Sequence, residues 1–136
     1  MTTHFADSSF YLALLNPRDA WHEAAASFAR DYRGTILTSD YILLELGALM
    51  SRGALRPVFA NLVRSLKNDA KTEIVVASSD LLSDAISLFE ERPDKDWSLA
   101  DCASFVIMKD RRLELALTSD HHFEQAGYIR AVSRPN

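Results

Sequence analysis

The sequence predicts an α/β fold: a three-layer α/β/α sandwich around a mainly parallel central sheet of four to five strands. Three observations carry this. Short β-prone runs alternate with longer stretches of helical period along the chain, and that alternation implies a parallel sheet with helices on both faces. Ser or Asp stands just after several of those runs, where a helix leaving a strand needs a cap. The chain has 136 residues, 48% hydrophobic and 25% charged, which suits one core. No repeat, low-complexity tract or linker divides it, so one domain is expected over 1–136.

The elements follow in order. Residues 3–6 are short enough that a strand is suggested rather than required. Asp7-Ser8-Ser9 then opens a helix over 10–15, closed at Asn16-Pro17 because proline disfavours helix at the preceding residue. Trp21, Ala24, Ala25 and Phe28 share one face of a helix over 21–30. Gly34 breaks it, and 35–38 is β-prone. Ser39-Asp40 caps a helix over 41–52, with Gly53 as its stop. Leu55, Val58, Phe59, Leu62, Val63 and Leu66 repeat at helical spacing to about 68. Residues 73–76 are the clearest strand. Ser78-Ser79-Asp80 caps a helix striped by Leu81, Leu82, Ala85, Ile86 and Phe89, which ends at Arg92-Pro93-Asp94. A helix beginning near Ser98 runs to about 111. Residues 115–118 are a strand, 121–126 a short helix and 128–132 a last strand. Ser133 to Asn136 form a polar tail.

Composition limits the function classes. Net charge is −4, unlike a general electrostatic nucleic-acid binder. It is compatible with an enzyme whose acidic site is neutralised by metal ions. Cys102 is the single cysteine, so no intrachain disulfide forms. It reads as a small buried hydrophobe in a reducing compartment. The N-terminus has neither a basic nor an apolar signal region, and no apolar run is long enough for a membrane span. A cytoplasmic location is expected. His22-Glu23 lacks the second histidine of a zinc-protease motif, and no nucleophile-elbow or phosphate-loop pattern occurs.

The acids are the informative residues. Ligands of open α/β sheets bind at the carboxyl ends of the strands. Asp7 ends the first predicted strand and Asp120 the fourth, so parallel neighbours would bring them to one edge. The helix starting near Ser98 feeds the fourth strand, which returns its N-terminus and Asp101 to that edge. Glu45 lies one to two turns into the helix leaving the second strand. Asp7, Asp101 and Asp120 also read as helix caps, and Ser98 with Asp101 has capping-box spacing. Glu45 has Tyr41, Ile42, Ala48 and Leu49 as helical neighbours, so it points along an apolar face. There a charge needs a salt bridge or a metal. Clustered carboxylates need a cation, and hard oxygen donors suit Mg²⁺ or Mn²⁺. Such ions are common apparatus for phosphodiester hydrolysis.

At these residues the sequence resembles the PIN-domain family and, within it, the VapC-type toxins. The resemblance rests on Asp7-Ser8-Ser9, Leu44-Glu45, Asp96-Trp97-Ser98-Leu99-Ala100-Asp101-Cys102 and Leu117-Thr118-Ser119-Asp120-His121-His122-Phe123. It implies that Asp7, Glu45, Asp101 and Asp120 are the core acids of a Mg²⁺- or Mn²⁺-dependent endoribonuclease. Glu45 would act directly or through water. It further implies an RNA substrate, a homodimer and inhibition by an antitoxin. Ala100 departs from the pattern, since many relatives carry Thr or Ser before the third acid.

Secondary candidates complete the set. Asp96 is a possible fifth acid, or a solvated loop residue. Ser9 is a supporting hydroxyl near the site, or part of the helix start. His121 and His122 either touch phosphate or are plain surface residues, the pair having no further zinc-type ligands nearby in sequence. Arg52, Arg56, Arg64 and Lys67 belong to a basic stripe on two adjoining helices, either guiding RNA phosphates or simply solvated. Three other functions compete: a PIN-like nuclease acting in RNA processing or on DNA, a phosphoacceptor signalling module, and a silent partner-binding scaffold. No lysine follows the fourth strand, which counts against the phosphoacceptor. The four acids count against the scaffold.

Overall fold

In the computed structural model, residues 2–132 are described, so the polar tail lies outside the described residues. The chain runs β1 (Thr3–Ala6), α1 (Ser8–Leu15), α2 (His22–Asp31), β2 (Thr35–Ser39), α3 (Asp40–Leu49) and α4 (Leu55–Asn68). It continues as β3 (Thr72–Val75), α5 (Ser79–Glu91), α6 (Leu99–Asp110), β4 (Leu115–Leu117), α7 (His122–Gln125) and β5 (Ile129–Arg130). The five strands form one sheet in the order β3-β2-β1-β4-β5. Every pairing is parallel.

That order explains why β1 is hard to read from sequence. It is the central strand, and His4, Phe5 and Ala6 are all buried. Consecutive side chains point to opposite faces, so both faces are covered and no polar alternation appears. Phe5, Leu37, Ile42, Leu46, Met108, Leu117 and Phe123 are almost fully buried and form the heart of the core.

The caps act as predicted at three helices. Ser39 Oγ accepts from the Ile42 N–H at 3.3 Å, and Ser78 Oγ from the Leu81 N–H at 3.1 Å. Ser98 and Asp101 make a complete capping box. Most boundaries shift by one or two residues, and two elements are shortened more. Helix α3 ends at Leu49, three residues early, and Gly53 takes a positive φ of 53° in the turn that follows. Arg52 therefore lies in that turn rather than on the helix. Strand β5 pairs over only two residues.

Topology positions the site. From β1 the chain builds outward through β2 and β3, then crosses back to add β4 and β5 on the other side. The order reverses between β1 and β4, and a crevice at their carboxyl ends is the expected ligand position. Phe5 pairs with Ala116 and Ala6 with Leu117. Asp7 and Thr118 consequently leave the sheet side by side.

Candidate active site

Asp7 occupies the N-cap position of α1, yet its side chain makes no capping bond. Its Oδ2 accepts hydrogen bonds from Ser9 Oγ at 3.0 Å and Thr118 Oγ1 at 2.9 Å. Among the described residues no hydrogen bond reaches Oδ1. The residue is 3% exposed, and its carboxyl is pushed up to about 6. Burial is the largest cause. The two hydroxyls oppose it, and the charges of Glu45 and Asp101 add to it. The cap reading of Asp7 is thus replaced by a buried carboxylate aligned by hydroxyls.

Glu45 is half-buried on α3. Ser8 Oγ donates to its Oε1 in a short hydrogen bond. The apolar face expected around it is only partly present. Ile42 is fully buried, but Ala48 and Leu49 are exposed. Glu45 therefore sits at the edge of the core, between buried and exposed residues of α3. Among the described residues neither Glu45 nor Asp7 takes part in an ion pair, so the buried-salt-bridge alternative fails.

Asp101 combines both roles weighed from sequence. Its N–H donates to Ser98 Oγ at 3.0 Å, and its Oδ2 accepts from the Ser98 N–H at 3.1 Å. The box stabilises the start of α6 by about 1 kcal/mol. Trp97 pins that start, donating from Nε1 to Gln125 Oε1 at 3.1 Å while packing edge-on against Phe105. The Asp101 carboxyl is raised above its ordinary range, first by burial and also by the Asp120 charge, with the Ser98 N–H and His122 opposing.

Asp120 is carried by the loop after β4. Its N–H donates to Thr118 Oγ1 at 2.9 Å, and its Oδ1 accepts from the His122 N–H at 2.9 Å. Thr118 thereby couples the Asp120 backbone to the Asp7 carboxylate. The Ser119 peptide is held at both ends: its N–H donates to Ser9 Oγ at 3.0 Å, and its carbonyl accepts from Arg130 Nη1 at 3.0 Å. Arg130 also pairs with Glu124 at 2.7 Å.

Some sequence expectations change here. His122 is not a plain surface residue. Its Nδ1 lies 3.0 Å from Asp101 Oδ2 and 3.3 Å from Asp120 Oδ1, because α7 turns its first residue back toward α6. His121 is exposed, as expected. Asp96 is exposed and lines a cleft with Phe89, Pro93, Lys95 and Trp97. Ser8, Thr118 and Arg130 are the residues to which sequence reasoning gave no role. Ser8, next to Asp7, and Thr118, two residues before Asp120, carried a usable signal as small hydroxyl residues close to an acid; Arg130 had none.

The donor set fits a hard divalent cation. A buried carboxylate with a free oxygen, no cationic partner and two further carboxylates acting on it lacks positive charge. Ser9 and Thr118 fix Asp7 in the way outer hydroxyls orient metal-ligating carboxylates. Thr118→Val is expected to lower cleavage by about 10–100-fold and raise the metal concentration required. A rate within twofold of wild type across a metal titration would contradict this.

Carboxylates gathered at the strand ends of an all-parallel sheet, with Asp7 and Asp101 buried, point to a class, and comparison with known proteins names it. The PIN domain family model matches residues 5–128, and the chain belongs to that family. It is an enzyme of the nuclease class, hydrolysing phosphodiester bonds. Among particular proteins, it is 30% identical over 127 residues to the 23S rRNA-specific endonuclease VapC20 of Mycobacterium tuberculosis, in two strains. That alignment covers 92% of this chain and 95% of VapC20. The fold matches the crystal structure of M. tuberculosis VapC20, described as a Sarcin-Ricin loop cleaving toxin, with a TM-score of 0.86 at 23% identity. The match covers 97% of this chain and all (100%) of that one. FitAcB from Neisseria gonorrhoeae matches with a TM-score of 0.67 at 14% identity, covering 95% of this chain and 96% of that one. VapBC2 from Rickettsia felis, bound to a DNA fragment from their promoter, matches at 0.65 and 13% over the same shares. The resemblance read from the residues and the parallel α/β fold are both borne out.

Proposed function

We propose that this chain is a single-domain, Mg²⁺- or Mn²⁺-dependent endoribonuclease, the toxin of a toxin–antitoxin pair. Asp7, Asp101 and Asp120 would hold the metal, with Glu45 a ligand directly or through water. The observation that carries this reading is Asp7: buried, without a cationic partner among the described residues, and under the charge of Glu45 and Asp101. A bound divalent ion supplies an activated water and neutralises charge developing on the phosphate. Ser9 and Thr118 hold the Asp7 carboxylate in one orientation, and Ser8 does the same for Glu45. Because these groups are fixed before substrate arrives, little reorganisation accompanies reaction. Incubation of total RNA with purified protein tests the reading. Defined cuts are expected with Mg²⁺ or Mn²⁺ and none with excess chelator; cutting that persists in chelator defeats it.

The partners follow the same reading. VapC20's name as a 23S rRNA-specific endonuclease supports an RNA substrate, and the description of VapC20 as a toxin supports a cognate antitoxin. Leu44 (70% exposed) and Leu49 (57%) on α3, with Leu55 (46%) at the start of α4, leave apolar surface for the antitoxin or for a second copy in a homodimer. Among the described residues no helix is long and apolar enough to cross a membrane, and a cytoplasmic setting suits an RNA target.

The basic stripe has free charges. Arg52, Arg56, Arg64 and Lys67 are exposed, and none of them forms an ion pair among the described residues. Arg56 and Arg64 stand two turns apart on α4, so they share a face. Charge reversal at both is expected to weaken RNA binding and reduce the slope of log affinity against log salt by about 1–2. An unchanged slope removes the stripe from the RNA path.

A further inference from the structure

The cleft between the end of α5 and the start of α6 holds aromatic and mixed-charge groups that metal binding does not use. Its volume is about 460 Å³, within the range of about 300–1,000 Å³ common to small-molecule sites. Two flat groups line it. Phe89, on the last turn of α5, is half exposed. Arg92 lies over the Trp97 ring, its Cζ 5.0 Å from the ring centroid. Its Nε and Nη2 donate to Asp94 Oδ1 and Oδ2 at 3.0 and 3.1 Å. Trp97 is buried and tied through Nε1 to Gln125. The guanidinium is thus fixed on a rigid ring, yet 41% of the Arg92 side chain stays exposed.

The polar rim carries both signs of charge. Lys95 is a donor, 3.8 Å from Asp94, and Glu90 and Asp96 are exposed acceptors. A phosphate wants a surplus of cations, and an apolar helix wants none of these charges. A neutral flat ring with donors and acceptors on its edges fits both the platforms and the rim. Unpaired RNA bases are recognised in this way, stacked on aromatic rings or arginine planes and hydrogen-bonded at their edges. Guanine matches best: its O6 and N7 accept from a lysine, and its N2 amine donates to a carboxylate.

The cleft also adjoins the acids along the chain. Trp97 immediately precedes Ser98, which makes the capping box with Asp101, and Cys102, another lining residue, follows Asp101. We propose that this cleft is a subsite for one unpaired guanine of the RNA substrate, close to the bond that is cut. The proposal rests on the ribonuclease reading and names a feature of its substrate.

Steady-state cleavage of a short single-stranded RNA spanning a mapped cut tests it, with an abasic residue placed at each position in turn. At one guanine near the cut, loss of the base is expected to raise KM by about 10-fold. There kcat should stay within about twofold, since the lost contact binds substrate and transition state alike. Inosine at that position lacks only the N2 amine and is expected to raise KM by about 5-fold. Phe89→Ala, at a half-exposed position, is expected to raise KM for the intact RNA by about 10-fold and to become indifferent to the abasic change. Abasic effects absent at every guanine, or undiminished in Phe89→Ala, would overturn the subsite and leave the nuclease reading intact. So would a Phe89→Ala variant that cuts each RNA as wild type does but loses a dimer on sedimentation, which would make this face an interface between copies. A wild-type chain that cuts no RNA fails the nuclease reading, and the subsite with it.

Discussion

Asp7→Asn is expected to reduce RNA cleavage by at least about 10³-fold, or about 4 kcal/mol of transition-state stabilisation, with the fold intact. The substitution keeps shape and keeps an oxygen that can accept from Ser9 and Thr118. It removes the charge that makes the crevice a cation site. The loss should persist at saturating metal, because a neutral amide is a poor ligand for a hard ion. Single-turnover cleavage of a defined RNA, with circular dichroism of the same sample, checks it. Cleavage within tenfold of wild type contradicts the assignment.

The same variant is expected to be more stable than wild type at neutral pH when metal is absent. The Asp7 carboxyl moves from an ordinary 3.8 to about 6 on folding. A folded-state value above the unfolded one means that the contribution is fully present below about 4 and lost as pH rises through 6. Burying the charged form therefore costs the metal-free protein about 3 kcal/mol at neutral pH. Asp7→Asn removes that cost. Its Tm should exceed that of wild type by about 5–10 °C at pH 7.5 without metal. The difference should shrink toward zero near pH 4. Saturating Mg²⁺ should also narrow it, since only wild type gains from binding. A variant less stable than wild type at pH 7.5 would show that Asp7 is held by attractive contacts rather than against its desolvation.

Much of this arrangement is legible in the residues. Apolar stripes and Ser/Asp caps locate most helices, since both signals are local. The convergence of Asp7 and Asp120 follows once β1 and β4 are parallel neighbours, and the structure makes them so. What the sequence hides depends on contacts between distant segments. Nothing in the sequence around His122 points to its partner Asp101, which lies 21 residues away. Arg130 is on a two-residue strand, yet it reaches the Ser119 carbonyl. Glu45 shows the opposite error. Helical spacing placed it along an apolar face, but Ala48 and Leu49 on that face are exposed. Periodicity reports which residues share a face, not what covers that face.

The central claim is that carboxylates from β1, α3, α6 and the loop after β4 jointly bind divalent metal. Crystals grown with Mn²⁺ and measured for anomalous scattering test it most directly. The account predicts a strong anomalous peak bonded to both Asp7 and Asp101. No peak between them at saturating Mn²⁺, in protein that still cuts RNA, would contradict it.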